Sequence, residues 1–244
     1  MNKKILDVKN VDLSYDNKKT YVLKDISFSV FSGEVLSIIG LNGSGKSSLL
    51  KIIAKVQKQS SGSIVRKYKN LSYVPQKMNI EDSFPILVKE FIQIYNDSVS
   101  ISEIKDLLKK FNSGNILDKK LETLSGGQLQ KMLIISALLD NPDIILLDEP
   151  TAGVDIIGEE KFYEIIKEVK KNFPKISIIL VSHNIHLVYK NSDKVICLHE
   201  NNFCCHGTPH EVRSNENVKN IFGKYTLPYE HHPHSLHEHK NCNH

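Results

Sequence analysis

The feature that most constrains the fold of this chain is a glycine-rich loop, Gly40-Leu41-Asn42-Gly43-Ser44-Gly45-Lys46-Ser47. The loop matches the G-x-x-x-x-G-K-[ST] pattern, in which glycines let successive backbone N–H groups turn toward an anion. The apolar run Val35 to Ile39 before it predicts a short buried strand, and the periodic apolar positions from Leu49 to Ile53 predict a helix. A strand, a loop and a helix in this order predict a nucleotide site in an α/β fold.

The loop suggests a role for its charged and hydroxyl-bearing side chains. Lys46 is expected to reach the β- and γ-phosphates, and the Ser47 hydroxyl is expected to coordinate Mg²⁺. The helix N-terminus adds its partial positive charge. The predicted nucleotide-binding residues of this stretch are Gly40, Asn42, Gly43, Ser44, Gly45, Lys46, Ser47 and Ser48.

A second motif supplies carboxylates. The apolar run Ile-Ile-Leu-Leu ends at Leu147 and is followed by Asp148-Glu149-Pro150, which predicts a strand covered on both faces of a parallel sheet. Open α/β sheets bind ligands at the carboxyl ends of such strands. Asp148 is therefore a candidate to hold Mg²⁺, and Glu149 to orient or deprotonate the water that attacks the γ-phosphate. The structural alternative is an ordinary acidic loop after a strand.

Three single residues are weaker candidates. Tyr15 follows the first apolar run and can stack on adenine, although a Tyr beside a turn is more often a strand-edge residue. Gln76 follows the strand Leu71–Val74 and can reach Mg²⁺ or water, or simply be solvated. His183 follows the strand Ile176–Val181 and can contact a γ-phosphate, or be a surface or capping residue.

The pattern from Ile80 to about Asp140 is helical, which predicts an inserted helical subdomain. This block ends in Leu124-Ser125-Gly126-Gly127-Gln128. Ser125 and Gln128 have the spacing of a capping box, so a helix is expected to start here. The two glycines fit either an ordinary cap or a helix N-terminus that approaches a phosphate closely, and the residues alone leave both open.

Short apolar runs elsewhere predict β structure. Residues 3 to 31 alternate apolar runs with polar turns, as antiparallel strands do. Ser60-Ser61-Gly62-Ser63 predicts a turn, and the runs Lys194–Leu198 and Asn202–Cys205 predict a closing hairpin. No apolar run reaches the ~18 to 20 residues that span a bilayer.

The charge and the cysteines favour the cytosol. The formal net charge of +4 is modest for 244 residues and implies no general nucleic-acid affinity. The N-terminal stretch lacks the apolar centre of a secretion signal. The four cysteines are irregularly spaced and predict no disulfide framework, in keeping with a reducing compartment; they are Cys197, Cys204, Cys205 and Cys242.

The tail after Phe222 changes composition and shows no apolar periodicity, so residues 223–244 are expected to be disordered. Imidazole, thiol and carboxylate groups suit Zn²⁺, Ni²⁺ or Cu ions, and the alternative is a polar tail without function. The candidate tail ligands are His231, His232, His234, His237, His239, Cys242 and His244.

Together these motifs resemble the ATP-binding cassette (ABC) transporter ATPase family over roughly residues 4 to 222. The likeness rests on the Walker A loop Gly40–Ser47, the signature Leu124–Gln128 and the Walker B run ending at Asp148 with Glu149. It extends to the Gln loop at Gln76, the D-loop ending at Asp155 and the switch His183. The signature pentapeptide separates this family from other phosphate-loop proteins.

The resemblance implies a mixed β core with an antiparallel β subdomain and an inserted helical subdomain at about residues 80–140. It also implies a homodimer in which each ATP lies between Walker A of one copy and the signature of the other. Ser125, Gly126, Gly127 and Gln128 would then face the partner's ATP, Gln76 would sense Mg²⁺, Tyr15 would stack on adenine, and Lys46, Glu149 and His183 would be catalytic.

The nearest likeness within the family is to ATPases of bacterial zinc, manganese and iron importers. It rests on Asp82-Ser83-Phe84-Pro85-Ile86-Leu87-Val88 and on the histidine-rich end. The resemblance implies ATP and Mg²⁺ as cofactors, integral membrane permease subunits as partners, a metal-binding periplasmic or surface protein, and a place at the cytoplasmic face of the membrane. The alternatives are a transporter of another solute, a soluble ABC ATPase, and a metal-sensing protein whose tail is the main activity.

Overall fold

The computed structural model describes residues 3–16, 20–76, 86–96, 99–200 and 202–223. Within these residues nine strands form one sheet in the order β4-β1-β2-β9-β8-β3-β7-β6-β5. The strands are β1 (Lys4–Ser14), β2 (Tyr21–Phe31), β3 (Val35–Gly40), β4 (Ser61–Arg66), β5 (Leu71–Val74), β6 (Ile144–Asp148), β7 (Ser177–Val181), β8 (Lys194–His199) and β9 (Asn202–Gly207).

Helices cover the sheet and fill the interval between β5 and β6. They are α1 (Lys46–Ile53), α2 (Val88–Tyr95), α3 (Ile101–Lys110), α4 (Gly126–Leu139), α5 (Ile156–Asn172), α6 (Ile185–Asn191), α7 (Pro209–Ser214) and α8 (Glu216–Phe222), with a 3-10 turn at Leu121–Thr123.

The centre of the sheet is parallel. Strand β3 pairs in parallel with β7 and β8, and β6 pairs in parallel with β5 and β7. Every residue of β3, β6 and β7 is buried, because their apolar runs are covered on both faces. Strand β1 pairs antiparallel with β2 and β4. This mixed sheet confirms the predicted fold class.

The helices between β5 and β6 bury apolar residues that recur at helical spacing. Ile104, Leu107 and Leu108 of α3 are buried, and so is Phe111 directly after it. They belong to a core cluster that also contains residues of α2, α4 and α5. The domain boundaries themselves stay a prediction, and Asp82–Pro85 of the importer-like segment lie outside the described residues.

The predicted turn at Ser60–Ser63 is wrong, because β4 begins at Ser61 and pairs with β1. Gly62 has a φ of 80° and lies against the backbone of Asn10, so that a Cβ would collide with it. The register shifts between Lys9 and Asp12 at this point. The glycine therefore marks an irregularity inside a strand pair, a use of glycine that resembles a turn signal in sequence.

The helices in the described part of the chain are too short or too polar to cross a lipid bilayer.

Candidate functional site

The predicted nucleotide site forms where the parallel strands β3, β5, β6 and β7 end. Gly40 is the last residue of β3, Asp148 the last of β6, and Gln76 and His183 follow β5 and β7 by two residues. Parallel strands bring their carboxyl ends to one edge of a sheet, and this edge is where α/β proteins bind ligands. The topology thus brings motifs more than 100 residues apart in sequence to one edge.

The phosphate loop requires glycine at its last turn. Gly45 has a φ of 91° and caps α1, whose first residue is Lys46. A Cβ on Gly45 would lie 2.6 Å from both the Leu23 Cδ2 atom and the Val22 carbonyl oxygen. Only glycine combines this backbone conformation with so close an approach of β2.

Lys46 is held under the loop. Its side chain is 5% exposed, and its Nζ donates to the carbonyl oxygens of Gly40 and Leu41 at 3.0 Å each. Nζ also lies 3.8 Å from Glu149 Oε1. Burial lowers the pKa of Lys46, and the nearby carboxylates Glu149 and Asp148 act against that shift. A triphosphate would add negative charge beside this buried cation and favour its charged form further.

Ser47 and Asp148, which lie near the lysine, carry oxygen atoms that could coordinate a metal ion. Ser47 Oγ donates to Asp148 Oδ1 at 2.8 Å, and Tyr73 OH donates to Asp148 Oδ2 at 3.1 Å. Asp148 is buried, and burial raises the pKa of Tyr73, with Asp148 adding to that effect. A hydroxyl and a carboxylate oriented in this way are ligands of the hard type that Mg²⁺ prefers.

Glu149 stands between the lysine and the predicted Gln loop. Gln76 Nε2 donates to Glu149 Oε2 at 2.8 Å, while the other carboxylate oxygen faces Lys46. Glu149 adopts a φ of 45°, which is uncommon for a residue with a side chain. Strained backbone of this kind concentrates at functional sites, where the surrounding structure holds it in place.

Ser44 provides an independent test of whether the loop fits an anion. Its hydroxyl oxygen is buried and has no hydrogen-bond partner among the residues that the structure describes. A buried hydroxyl without a partner costs free energy, so such groups usually have a use. A hydroxyl donor, the backbone N–H groups and the Lys46 ammonium in one loop fit phosphate oxygens.

His183 contacts a carboxylate that the sequence analysis did not select. His183 Nε2 lies 3.5 Å from Glu159 Oε1, although Glu159 is buried and the histidine is 57% exposed. Glu159 also accepts hydrogen bonds from Thr151 Oγ1 at 3.3 Å and from Asn184 Nδ2. The carboxylate thus ties the loop after β6 to the residues after β7.

The sequence pattern around Glu159 indicates that this residue needs a buried polar partner. Glu159, Phe162, Ile166 and Val169 follow one another at helical spacing and are all buried in α5. A charged residue on the apolar face of a helix needs a polar partner, which points to a structural or functional contact. The helix begins at Ile156, because Asp155 Oδ1 accepts a hydrogen bond from Gly158 N at 2.8 Å and caps it.

The signature segment forms the predicted capping box at the start of α4. Gln128 N donates to Ser125 Oγ at 3.3 Å, and Ser125 N donates to Gln128 Oε1 at 3.2 Å. Gly126 and Gly127 have open space where a Cβ would be, and neither has a positive φ. No contact among the described residues therefore explains two glycines at a helix start, where alanine would be more stable.

The signature lines a surface groove of about 700 Å³ together with the loop before α5. Gly153, Val154 and Asp155 line its other side, and the neighbouring Ile156 and Ile157 are 74% and 62% exposed. An apolar pair this exposed beside a glycine-lined groove is typical of a surface that another chain covers.

The described contacts do not connect Tyr15 to this arrangement, and the predicted tail ligands are not among the described residues. The Tyr15 ring is 71% exposed, and its hydroxyl accepts a hydrogen bond from Gln57 Nε2 at 2.7 Å, which leaves the ring faces accessible. The tail ligands His231, His232, His234, His237, His239, Cys242 and His244 lie outside the described residues.

Comparison with known proteins gives one consistent result. The ABC transporter family profile matches residues 23–152. The zinc import ATP-binding protein ZnuC of Buchnera aphidicola is 40% identical over 218 residues, which is 88% of this chain and 89% of the relative. The protein of the same name from Rickettsia bellii is 34% identical over 235 residues, which is 96% of this chain and 99% of the relative.

Solved structures of ABC cassettes have the same fold. The cassette cbiO1 of Clostridium perfringens, part of the cbiONQ transporter complex, is 26% identical with a TM-score of 0.77, over 89% of this chain and 94% of that one. The dimeric structure of the bacterial ABC transporter cassette MJ0796 is 25% identical with a TM-score of 0.70, over 84% of this chain and 99% of that one.

Proposed function

The chain belongs to the ABC transporter family and is an ATPase of that family, and from this premise we propose that it drives import of a divalent metal ion. Zinc is the favoured cargo, ahead of manganese and iron, because zinc import proteins at 34–40% identity match most of the chain. The observation that carries the catalytic part of the proposal is the convergence of Lys46, Asp148 and Glu149 at one edge of the sheet.

In the proposed mechanism, the phosphate loop binds the triphosphate of ATP. Lys46 moves from the carbonyl oxygens of the loop toward the β- and γ-phosphates, and Ser44 gives its unpartnered hydroxyl to a phosphate oxygen. Ser47, Asp148 and Gln76 are the side chains that would hold Mg²⁺. A bound Mg²⁺ ion would neutralise charge on the β- and γ-phosphates.

Glu149 is the proposed general base. Its carboxylate lies between Lys46 and Gln76 and is partly exposed, so a water molecule has access to it. Once phosphate anions attract Lys46, Glu149 is free to accept a proton from the attacking water. His183, held by Glu159, is placed to contact the γ-phosphate from the neighbouring strand end.

The proposed ATP site is completed by a second copy of the chain. Gly126 and Gly127 would let the α4 N-terminus approach the partner's γ-phosphate closely, since a helix N-terminus favours anions. The exposed Ile156 and Ile157 border the same groove and support burial of this surface in a dimer.

A second surface supports docking of a membrane permease. A groove of about 330 Å³ opens between β5, α2 and α4 and is lined by apolar side chains that include Phe91, Tyr95 and Leu133. Ile94 and Tyr95 of α2 are 66% and 63% exposed. The groove begins at Pro75, next to Gln76, so a permease segment seated there would contact the residue that faces Glu149. We therefore propose a peripheral position at the cytoplasmic face of the membrane.

Substitution of Glu149 by glutamine tests the catalytic proposal. Glu149→Gln keeps the size and the hydrogen-bonding capacity toward Gln76 but removes the base. We expect ATP binding and ATP-dependent dimerisation to persist while turnover falls at least about 100-fold. The exposed Glu160→Gln variant is the matched control and should hydrolyse ATP normally. Near-normal hydrolysis by Glu149→Gln would refute this role.

The cargo requires a separate experiment. The chain should be purified with its permease, and ATPase activity measured with the metal-loaded binding protein. Stimulation by the zinc-loaded form supports zinc import, and stimulation only by another solute would overturn the choice of cargo while leaving the ATPase assignment intact.

A further inference from the structure

Three of the four cysteines of the chain meet on the β8–β9 hairpin. Cys197 of β8 is buried, and Cys204 and Cys205 of β9 are half-buried. Their three Sγ atoms all lie within 4.8 Å of one another. This cluster is on the side of the sheet that α6, α7 and α8 cover, and no step of the proposed ATPase mechanism uses it.

A β-bulge is what makes the cluster possible. Adjacent residues of a regular strand point to opposite faces, so Cys204 and Cys205 would normally diverge. In the hairpin, Cys197 pairs with Cys205 and Leu198 pairs with Phe203, so that Cys204 is an extra residue without a partner position on β8. Bulges of this kind redirect a side chain, and here both adjacent thiols reach Cys197.

We propose that Cys197, Cys204 and Cys205 form a zinc-binding site with three thiolate ligands. Tetrahedral zinc with Zn–S bonds of 2.3 Å separates its sulfur ligands by about 3.8 Å, so the cluster needs only a small contraction to bind the ion. A fourth position is left for water or another donor. This inference does not rest on the proposed transport function.

The surroundings of the cluster are those of a protected metal site. Apolar side chains from β3, α6 and α7 pack around it, namely Ile39, Val188 and Val212. Tyr189 packs against the same cluster, and its buried hydroxyl has no hydrogen-bond partner in the described part of the chain. A phenol hydroxyl beside metal-bound thiolates can donate a hydrogen bond to sulfur and so support the ligands.

The test uses the full chain with Co²⁺ as a spectroscopic probe and Zn²⁺ as competitor. The Cys242→Ser change removes the one thiol outside the cluster, and the imidazoles of the tail give no sulfur-to-metal charge-transfer band. Protein reduced under anaerobic conditions, with three free thiols verified, should develop that band as Co²⁺ is added until both the tail and the cluster are saturated. Zn²⁺ added in excess over all sites should abolish the band.

Single substitutions identify the ligands. In the Cys242→Ser background, Cys204→Ser and Cys205→Ser should each lose the band. Each should also weaken Zn²⁺ binding by more than the ~10- to 100-fold that is typical when a residue contacting only a ligand is changed. Binding of Mg²⁺ and ATP by the same variants verifies that they are folded. Absence of the band in the background protein, or its survival in either folded variant, would overturn the proposal.

Discussion

At the scale of single residues, the buried hydroxyl of Ser44 links stability to ligand binding. An unpartnered buried hydroxyl costs roughly 1–3 kcal/mol, and a phosphate oxygen would remove that cost on binding. We therefore expect Ser44→Ala to unfold at the same or a higher temperature than the parent chain without nucleotide, and to bind ATP at least about fivefold more weakly. Thermal denaturation and equilibrium ATP binding measure the two effects.

Ser72 is the matched control for this prediction, because it is as buried as Ser44 but has a partner. Its hydroxyl donates to the Ala137 carbonyl oxygen at 2.9 Å. Ser72→Ala should lower the unfolding temperature and leave ATP affinity close to that of the parent chain. If the two variants behaved alike, the unpartnered hydroxyl of Ser44 would have no special connection to the nucleotide.

The buried carboxylate of Glu159 gives a second prediction at this scale. Glu159 contacts His183 and accepts hydrogen bonds from Thr151 and Asn184, so it fixes the segment that carries the histidine. Glu159→Ala should leave ATP affinity nearly unchanged and lower the maximal turnover at least about tenfold, because the histidine loses its support. Its exposed neighbour is the control, and Glu160→Ala should leave both quantities unchanged. Equal turnover in both variants would contradict the positioning role.

At the scale of elements, the glycines at the start of α4 are expected to lower the stability of the helix and to favour ATP-dependent dimerisation. Alanine is up to about 1 kcal/mol more stable than glycine in a helix, and Gly127 has room for a Cβ. Gly127→Ala should therefore raise the unfolding temperature of the isolated chain. The same methyl group would hold the partner's phosphates away, so ATP-dependent dimerisation and turnover should fall.

Gly114 is the control position for the Gly127 experiment, because a methyl group added there should not affect dimerisation. It also has open space at its Cβ position and no positive φ, but it lies in the loop after α3 rather than in the capping box. Gly114→Ala should dimerise and hydrolyse ATP as the parent chain does, which analytical ultracentrifugation and phosphate release can verify. Normal dimerisation of Gly127→Ala would argue against a signature surface that meets ATP.

The sequence predicts a strand or a helix start well where one physical cause dominates, such as burial of both faces or a capping box. Four consecutive apolar residues before Asp148 predict a doubly covered strand, and Ser125 with Gln128 predicts a capped helix start; the structure confirms both. Because parallel strands end at one edge, the approach of Ser47 to Asp148 also follows from the order of the motifs.

Contacts that depend on irregular backbone are not predictable in this way. The turn predicted at Ser60–Ser63 is an irregularity in a strand pair, and the thiol cluster exists because Cys204 is a bulged residue. Neither feature leaves a periodic trace in sequence. Glu159 differs, since its place on the apolar face of α5 was readable, but its partners came from loops whose course the sequence does not specify.

At the scale of the whole molecule, the proposed docking groove between β5, α2 and α4 allows hydrolysis and its stimulation by the permease to be tested separately. Tyr95 is exposed at this groove and stacks against Phe91 with ring centroids 4.9 Å apart. Tyr95→Arg puts a charge on an apolar docking surface, so we expect the isolated chain to hydrolyse ATP normally while stimulation by the permease is lost. Equal stimulation of the variant and the parent chain would exclude this groove as the docking surface.

Zn²⁺ binding by the histidine-rich tail can be distinguished from Zn²⁺ binding by the thiol cluster if the tail is removed. Helix α8, the last described element, ends at Phe222, and residues 229–244 contain none of the predicted ATP-site residues, so their removal should leave ATP binding and turnover within about twofold of the parent values. The same deletion removes six of the eleven histidines, so it should lower the number of Zn²⁺ ions bound. One site should remain in the shortened chain if Cys197, Cys204 and Cys205 bind zinc. Isothermal titration calorimetry of the parent chain and the shortened chain with Zn²⁺ measures the difference in the number of bound ions. A shortened chain that lost turnover would instead make the tail part of the ATPase.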